Sequence, residues 1–566
     1  IIASMLVAIF VVPVTIANFG KAKQVAKQSL QLSDRWLKFV GFFIKDKSRA
    51  MATVAVFAIG TLGAAYLFMP AAEYLPEGEE PKAFSMMIAP PSYNLTAMKK
   101  IGEELRTDFD QHVNVASDKF DSGQTDMPPL SYYSMSVSAG SIWLMSRPVD
   151  AENIQAMMDS ITKRFRSYDK MRAFSSRGSI ISSNDGGTRA VAVDISGPNI
   201  VELYQAAEAV YQQANVVFDN PQINSEPGSL SLDQPMIEVH PRWERLAELG
   251  ISNSELGYAI SAYSDGAYVD EFILGDDKVD IFMFSNAGNK QNLEQLANST
   301  IMTPAGKVMP LNALADMHAS YSSDSLRRID GNRTVSVYII PPREVALETA
   351  EEMVRTQLIT QLRQSGKIAH GINLTISGAA DQLEATKASL SSNFLVSIVL
   401  SYLLLVAIFT HWRYPLFILT TIPLGMAGGL LGLIAVNGVN SGLGQFGLSS
   451  YHQPLDMITM LGFLILLGTV VNNPILIVDQ TLKNLKQAGT SVVDAVKGAV
   501  EKRLMPILMS TSTTVFGLAP LVLIPGDGTE LYRGVGVIVL SGIIFSTLLT
   551  LSFLPALLVS VIKEKH

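Results

Sequence analysis

Polar side chains interrupt two long apolar runs near the carboxyl end of the chain. Asn472 and Asn473 lie within one run, and a series of hydroxyl residues from Ser510 to Thr514 lies within the other. Where water is absent, each of these side chains needs a hydrogen-bonding partner. The asparagines favour a role in a proton pathway over simple helix packing. The hydroxyl residues are equally compatible with a pathway and with bonds back to carbonyls of their own helix.

Two carboxylates flank the asparagine pair. Asp479 ends the same apolar run, as is typical of a helix end at a membrane interface. Asp456 precedes the run and stands close to His452. Asp456 is either a proton-uptake group or a charge stabilised by the amino-terminal dipole of a helix, and the second alternative is favoured.

A group of aromatic and methionine residues lies much earlier in the chain. Its members are Met86, Met87, Tyr132, Tyr133, Met135 and Trp143. Such side chains form adaptable apolar surfaces that suit varied ligands. At strand spacing they more often form a core. Substrate binding by Met87, Tyr133, Met135 and Trp143 is therefore a hypothesis that competes with a packing role.

The composition indicates a membrane protein without a cofactor. Of 566 residues, 48% are hydrophobic and 17% are charged, so part of the chain must contact lipid. The absence of cysteine excludes disulfides and thiolate metal sites, and the net charge of -8 argues against nucleic acid as a partner. No phosphate-binding loop or set of catalytic residues is evident. These absences argue against an enzyme, and the lack of a nucleotide-binding motif favours an ion gradient over ATP as a source of energy.

Seven apolar stretches approach the length of about 20 residues that a membrane-spanning helix needs. They are residues 1–19, 51–69, 394–409, 415–436, 457–478, 506–524 and 535–562. We predict a first helix at 1–19 that lacks its beginning, a second at 51–69, and the remaining five within 393–566. The segment 20–50 is predicted to be an amphipathic connector.

Lysine and arginine orient these helices, because cytoplasmic connections are enriched in both. The connector at 20–50, the connection after the fifth stretch and the carboxyl-terminal tail are rich in basic residues. The connections at 437–456 and 525–534 contain Arg533 as their single basic residue. The connector is therefore predicted to be cytoplasmic, and the region 70–392 is predicted to be a periplasmic domain.

Strand patterns alternate with amphipathic helix patterns across this domain, as in βαβ units. The first unit has predicted strands at 83–89 and 141–146, each followed by a helix. The second has a strand at 190–196, a helix at 200–213, a strand at 335–340, a helix at 347–362 and a strand at 374–377. The interruption within the second unit, about 225–322, has strands and a helix of its own and predicts an inserted subdomain.

Three local motifs occur along this order of elements. Residues 74–80 are Tyr-Leu-Pro-Glu-Gly-Glu-Glu, residues 468–479 are Gly-Thr-Val-Val-Asn-Asn-Pro-Ile-Leu-Ile-Val-Asp, and residues 503–511 are Arg-Leu-Met-Pro-Ile-Leu-Met-Ser-Thr. They are similar to the start of the porter domain, the tenth span and the start of the eleventh span of resistance-nodulation-division (RND) efflux pumps. The whole chain therefore resembles the second half of these pumps, in the branch that exports hydrophobic and amphiphilic compounds.

This resemblance implies a fold, an assembly and an activity. The fold is a membrane α-helical bundle plus an α+β periplasmic domain, in which ferredoxin-like βαβ porter subdomains carry an inserted docking subdomain. The assembly is a homotrimer in the bacterial inner membrane that joins a periplasmic adaptor protein and an outer-membrane channel. The activity is proton-driven efflux of hydrophobic or amphiphilic small molecules across the Gram-negative envelope.

The resemblance also implies where protons act. In these pumps an acidic pair in the fourth span interacts with a basic residue in the tenth span and a hydroxyl in the eleventh. The fourth span is expected to lie outside this chain, and Asn472 stands where well-studied drug pumps carry a lysine. We therefore expect a proton relay of Asn472, Asn473, Ser510 and Thr511, with Arg503 as a more cytoplasmic cation.

Two other functions stay open. One is a heavy-metal or lipid exporter of the same superfamily, which a methionine triad in the porter cleft would indicate. The 23 methionines are scattered, however, and fit core packing better. The other is an envelope sensor or protein-translocation component, which would use the same basic connectors and βαβ domain without exporting anything.

Overall fold

The computed structural model describes most of the chain. The described residues are 10, 13–14, 27–75, 82–91, 93–178, 188–219, 221–230, 232, 234–286, 292–323, 325–444, 452–487, 490–523 and 529–562. The chain divides into two compact units, one of Ile1–Gly78 with Asp381–His566 and the other of Glu79–Ala380. We name the first the helical unit and the second the sheet unit.

Two helices near the amino end belong to the helical unit. Helix α1 is Lys27–Ile44 and helix α2 is Lys47–Leu67. Leu37 and Val40 of α1 are buried in the core of this unit, whereas Phe42 is exposed. Helix α1 therefore has one buried apolar face and one exposed aromatic face.

The first half of the sheet unit is a βαββαβ motif. Its elements are β1 (Ala83–Ile88), α3 (Leu95–Asp110), the short helix α4 (Asp118–Asp121), β2 (Leu130–Val137), β3 (Ser141–Pro148), α5 (Ile154–Arg166) and β4 (Arg172–Arg177). The strands pair antiparallel in the order β2-β3-β1-β4. Leu105 and Phe109 of α3 and Ile161 and Phe165 of α5 are buried in one core with the sheet, because apolar residues at intervals of three or four share a helix face.

The second half begins in the same way and is then interrupted. It starts with β5 (Val191–Ser196), α6 (Ile200–Val217) and β6 (Gln222–Glu226). The insert contains β7 (Gln234–Pro241), α7 (Trp243–Leu249), α8 (Asn253–Tyr263), β8 (Ala267–Leu274), β9 (Asp277–Met283), α9 (Leu293–Asn298), β10 (Thr300–Met302), β11 (Val308–Pro310) and β12 (Ala315–Ser322). Because β7 pairs with β12 along its whole length, the insert starts and ends at one place. It has its own core, which includes Leu246, Leu256 and Leu311.

The chain then completes the second half. The remaining elements are β13 (Arg328–Ile329), β14 (Asn332–Ile340), α10 (Leu347–Met353), a π-helical segment (Val354–Ile359), α11 (Thr360–Gln364) and β15 (Asn373–Gly378). The strand order β6-β14-β5-β15 corresponds to β2-β3-β1-β4 of the first half. The two halves therefore share one topology, and the insert separates the second and third strands of the second copy.

The rest of the helical unit consists of long apolar helices. They are α12 (Ala379–Phe409), α13 (Arg413–Leu419), α14 (Thr421–Gly444), α15 (Met457–Val470), α16 (Asn472–Leu485), α17 (Val492–Leu523) and α18 (Glu530–Val561). Among the described residues, six segments are long and apolar enough to cross a membrane: Lys47–Leu67, Ala379–Phe409, Arg413–Gly442, Met457–Leu485, Val492–Leu523 and Leu531–Val561. They overlap six of the stretches predicted from sequence, and the stretch at 1–19 lies outside the described residues apart from Phe10, Pro13 and Val14.

Helix α12 begins well before its predicted stretch at 394. Asp381, Glu384 and Lys387 belong to the helix, but their charges lower the local hydropathy, so an apolar pattern cannot detect this part. The boundary of the sheet unit accordingly falls at Ala380, whereas the sequence placed the end of the domain at 392.

Glycines bring α14 and α18 into close contact. A Cβ atom added at Gly429 would lie 2.9 Å from the carbonyl oxygen of Ile538, and one added at Gly428 would overlap the side chain of Phe545. The hydroxyl of Ser541 donates to the carbonyl of Val537 in its own helix at 2.5 Å and also lies 3.2 Å from the carbonyl oxygen of Gly429. Small residues allow the backbones of membrane helices to approach in this way.

Replacement of Gly428 with alanine is expected to lower the free energy of unfolding by about 1–3 kcal/mol, because the new methyl group overlaps Phe545 in a packed interface. Thermal unfolding of the purified full-length protein measures the loss. Gly438→Ala is the matched control, since Gly438 lies in the same helix with nothing within 4 Å of an added Cβ, and it is expected to be neutral or slightly stabilising. Equal losses in both variants would contradict the role of close packing at Gly428.

Candidate coupling site and substrate surface

A cluster of polar side chains joins three helices of the helical unit. Nδ2 of Asn473 on α16 lies 3.4 Å from Oγ1 of Thr547 on α18, and Oγ1 of Thr511 on α17 lies 2.8 Å from the same atom. The Thr547 hydroxyl donates to the carbonyl of Ile543 at 2.8 Å, so it accepts from both Asn473 and Thr511. All three side chains are buried. We call Asn473, Thr511 and Thr547 the Thr547 cluster.

A break in the fifth predicted span positions the two asparagines. Helix α15 ends at Val470 and helix α16 begins at Asn472. Pro474 follows, and proline interrupts a helix because it has no N–H and its ring clashes with the preceding turn. Since successive helical residues point about 100° apart, Asn473 is buried while Asn472 is exposed.

The same angular step separates Ser510 from Thr511 on α17. Thr511 is buried in the Thr547 cluster, and Ser510 is exposed. Within the described residues, no partner hydrogen-bonds the side chain of Asn472 or Ser510. The structure thus brings together Asn473 and Thr511 and leaves Asn472 and Ser510 on the surface of this chain.

Arg503, the expected cation, lies on α17 seven residues before Ser510. This separation corresponds to about two turns and about 10 Å along the helix, so both residues lie on similar sides of α17 at different levels. The Nε atom of Arg503 is buried, and it has no hydrogen-bond partner in the part of the chain that the structure describes. Arg503 is therefore separate from the Thr547 cluster.

Sequence reasoning missed Thr547, which holds the cluster together. Helix α18 also buries the hydroxyls of Ser546 and Thr550, and neither has a hydrogen-bond partner among the described residues. The available signal was the group of hydroxyl residues Ser546, Thr547 and Thr550, which lie within about 100° of one another around α18. Such a group marks a polar face inside a bundle.

The carboxylates that flank the asparagine pair have structural partners. Oδ1 of Asp456 accepts a 2.7 Å hydrogen bond from the N–H of Thr459, and Oδ2 lies 3.4 Å from Nε2 of Gln453. Asp456 is thus the N-cap of α15, which is the alternative that the sequence favoured. Asp479 pairs with Lys483 one turn later at 2.7 Å.

Two further charged residues are buried close to Asp456. Glu73 donates its backbone N–H to the carbonyl of Leu455 at 3.0 Å, and Arg533 precedes Gly534, which packs directly on Thr459. Sequence reasoning used Arg533 for orientation alone. Because a charge buried among apolar helices is costly, this concentration of charge marks a second polar site in the helical unit.

The first half of the sheet unit separates the candidate substrate residues onto two faces. Met87 is fully buried in the core between sheet and helices, and Tyr133 and Met135 pack against this core. Met86 and Trp143 are cross-strand partners of β1 and β3 on the opposite, open face, because successive strand residues alternate in direction. Trp143 is 40% exposed. On the same face Phe84 and Phe174 are buried, so this face is exposed at Trp143 and covered in part elsewhere. Met87 is fully buried on the other side of the sheet.

Tyr133 has a structural partner of its own. Its hydroxyl donates to Oδ1 of Asp110 at 2.6 Å, and its ring packs edge-on against Phe109 with centroids 5.7 Å apart. Partial burial and the hydrogen bond to Asp110 raise the pKa of Tyr133 to about 12. Tyr133 is therefore a neutral hydrogen-bond donor that fastens β2 to α3.

The face of the second sheet away from its helices is polar and half-buried, which sequence reasoning missed. Ser336 and Ser377 both donate to the carboxylate of Asp194 from neighbouring strands, the second at 2.6 Å. Arg327 pairs with Glu226 at 2.7 Å on the same sheet. The signal was the alternation Val-Ala-Val-Asp-Ile-Ser at 191–196, in which every second residue is apolar and buried. The sheet unit thus has one aromatic and thioether face and one face of paired charges and hydroxyls.

Comparison with known proteins gives a family and several relatives. The sequence model of the AcrB/AcrD/AcrF family matches residues 1–562. The chain is 25% identical to the multidrug export protein AcrF of Escherichia coli over 338 residues, which are 60% of this chain and 30% of AcrF. It is 22% identical to the toluene efflux pump membrane transporter TtgB of Pseudomonas putida over 534 residues, which are 92% of this chain and 47% of TtgB.

A solved structure has a similar fold. It is an X-ray crystal structure of a heavy metal efflux pump, with a TM-score of 0.70 and 19% identity, and the match covers 98% of this chain and 53% of that chain. At this identity the likeness concerns the fold alone. The chain spans about half the length of TtgB and of this pump.

Replacement of Thr547 with valine is expected to destabilise the helical unit by about 0.6–1.7 kcal/mol, since Asn473 and Thr511 both lose their acceptor. Thermal unfolding of the purified full-length protein measures this change. Thr513→Val is the matched control, because the Thr513 hydroxyl is exposed and donates to the carbonyl of Met509 in its own helix at 2.9 Å. If the two variants lose equal stability, the Thr547 cluster does not cross-link the helices.

Proposed function

Because the chain belongs to the AcrB/AcrD/AcrF family of RND transporters, we propose that it is part of a proton-driven exporter of hydrophobic or amphiphilic compounds. The observation that carries this proposal is the Thr547 cluster, in which polar side chains from three apolar helices meet. Buried polar groups in membrane helices mark ion and substrate pathways. The names of AcrF and TtgB, an export protein and an efflux transporter, support the same class of activity.

We infer the location and assembly from the same relationship. The helical unit lies in the bacterial inner membrane, and the sheet unit lies in the periplasm. The two halves of the sheet unit are ferredoxin-like porter subdomains, which their shared βαββαβ order and antiparallel pairing support. The insert is a docking subdomain through which a homotrimer joins a periplasmic adaptor protein and an outer-membrane channel.

We assign proton coupling to two layers of polar side chains. The outer layer is Asn472 and Ser510, which are exposed on this chain and face carboxylates supplied by the rest of the transporter. The inner layer is the Thr547 cluster. Protonation removes the charge of a carboxylate and weakens its hydrogen bonds to the outer layer. Helices α16 and α17 then move, and the hydrogen bonds of the Thr547 cluster transmit this movement to α18.

Arg503 adds a fixed positive charge to this scheme. An arginine stays protonated in proteins, so its charge favours the ionised form of a nearby carboxylate. The buried Nε atom without a partner among the described residues supports a role toward a group outside this chain.

Dye efflux from a pump-deficient strain that expresses the full-length gene tests the two layers. Asn472→Ala and Asn473→Ala are each expected to lower proton-gradient-dependent efflux about tenfold, which corresponds to a coupling free energy of about 1.4 kcal/mol. Abundance in the membrane is measured in parallel. Asn484→Ala is the matched control, because Asn484 is buried in the same helix and donates to the carbonyl of Ala495 at 2.9 Å, outside both layers.

The outcomes separate the functions that the sequence left open. Unchanged efflux in Asn472→Ala and Asn473→Ala, or an equal loss in Asn484→Ala, would assign these residues to helix packing. A wild type without gradient-dependent dye efflux would contradict drug export, and export of copper or zinc ions in its place would indicate a heavy-metal pump. Among the described residues, His, Asp and Glu form no group of three or more placed to hold a metal ion.

We assign substrate contact to the open faces of the sheet unit. Trp143 and Met86 contribute apolar contact on the first sheet, and the half-buried Asp194 and Ser377 contribute polar contact on the second. Ser336 is fully buried and supports the Asp194 carboxylate from within the sheet. Such a combination suits compounds that are apolar at one end and polar at the other. Tyr133 and Met135 support the first sheet from its helix side, where Met87 fills the core.

Trp143→Ala is expected to raise the dye concentration for half-maximal efflux roughly tenfold, because the substrate loses a large aromatic contact surface. Efflux at a series of dye concentrations measures this shift at equal membrane abundance. Met87→Leu is the control, since it changes the core at nearly constant volume and leaves the open face unaltered. An unshifted concentration dependence in Trp143→Ala would exclude Trp143 from the substrate surface.

A further inference from the structure

A polar cleft lies at the end of the second sheet where the chain returns from the insert. Its volume is about 440 Å³, within the range of about 300–1,000 Å³ that is usual for small-molecule sites. The residues that line it include Ser196, Gly197, Arg328, Arg333, Gly371 and Asn373. They come from the ends of β5, β13, β14 and β15, so the cleft is built by strand termini that the sheet holds in register.

A tight hairpin presents two arginines to this cleft. Asp330 and Gly331 have positive φ angles of 49° and 81°, as a two-residue turn between antiparallel strands requires. The turn places Arg328 of β13 directly opposite Arg333 of β14. Like charges at directly opposed positions destabilise a strand pair. The repulsion between Arg328 and Arg333 therefore lowers the stability of the hairpin, and the turn itself does not require it.

Neither arginine is neutralised within the described part of the chain. No described carboxylate forms an ion pair with Arg328 or Arg333, whereas the adjacent Arg327 pairs with Glu226 at 2.7 Å. The residues that line the cleft include no aspartate or glutamate. They do include Ser196, Asn332 and Asn373, whose side chains are hydrogen-bond donors. The cleft thus combines two uncompensated positive charges with neutral donors.

We propose that this cleft binds a small oxyanion, a carboxylate or phosphate group, between Arg328 and Arg333. The planar guanidinium group matches the paired oxygens of either anion. The anion removes the repulsion across the hairpin, and the neutral donors satisfy its remaining oxygens. This site is independent of the transport function proposed above, and it stiffens the point at which the insert rejoins the second half.

Isothermal titration calorimetry of the purified full-length protein tests the proposal, with inorganic phosphate and citrate as separate probes. Sodium chloride at matched ionic strength controls for general screening of charge. The wild type is expected to bind one or both probes and to unfold at a higher temperature when they are present. Arg328→Gln and Arg333→Gln are each expected to weaken binding about tenfold, because each removes a charge-assisted hydrogen bond. The double variant is expected to show no binding, and the ratio of the two affinities identifies the preferred anion.

Arg245→Gln is the matched control, since Arg245 is an arginine of the insert that pairs with Glu248 at 2.8 Å away from the cleft. It is expected to keep the affinity of the wild type. Without added anion, Arg328→Gln is expected to unfold no earlier than the wild type, because the substitution relieves the repulsion with Arg333. Binding that persists in the double variant, or a wild type that binds neither probe, would overturn the proposal. Because no transport is measured, the result does not depend on the proposed function.

Discussion

The close approach of two helix backbones determines how the helical unit is built. Gly428 and Gly429 place no side chain of α14 at its contact with α18, so Phe545 and the backbone of Ile538 pack directly on the backbone of α14. Helix α18 also contacts α15, α17 and α2. In this central position α18 turns Thr547 toward Asn473 and Thr511. Van der Waals packing on one side of α18 therefore sets the hydrogen-bond distances on its other side. The geometry of the Thr547 cluster therefore depends on the apolar contact between α14 and α18.

The sheet unit follows the other elementary rule, the alternation of side chains along a strand. In both halves one face of the sheet is covered by helices, and the second face is free to differ. The first half places Trp143 and Met86 on its free face, and the second half places Asp194 and its serine partners there. The two halves therefore share one topology, but the free face of the first sheet is mainly apolar and that of the second is mainly polar.

Periodicity was sufficient to predict much of this fold. The helices α3 and α5 were found because Leu105, Phe109, Ile161 and Phe165 recur at helical intervals. Strand β4 was missed because its buried face carries serine. Ser175 is buried, yet its hydroxyl bonds to Ser85 and Thr162 at 2.7 Å each, and a pattern of single residues cannot show that distant partners satisfy one another.

The candidate site was predictable to a similar extent. Asn472 and Asn473 are recognisable in the sequence as amides in an apolar run. Which of the two is buried depends on how α16 is rotated in the bundle, and the structure buries Asn473. Thr547 did not stand out, because threonine can satisfy its hydroxyl within its own helix and is unremarkable in membrane segments. Its part in the cluster depends on the contact between α14 and α18, which no local pattern encodes.

Val471 is a turn residue between α15 and α16 within one span, although its own backbone angles, φ -70° and ψ -25°, are helical. Helices α15 and α16 have 14 residues each, so each is about 21 Å long and shorter than a hydrocarbon core of about 30 Å. A single straight helix adapts to a thinner or thicker bilayer by tilting as a whole. Two rods with a joint adapt by changing the angle between them, and that joint carries Asn472 and Asn473. We therefore expect the angle at this joint, and with it the placement of Asn472 and Asn473, to vary with the thickness of the bilayer.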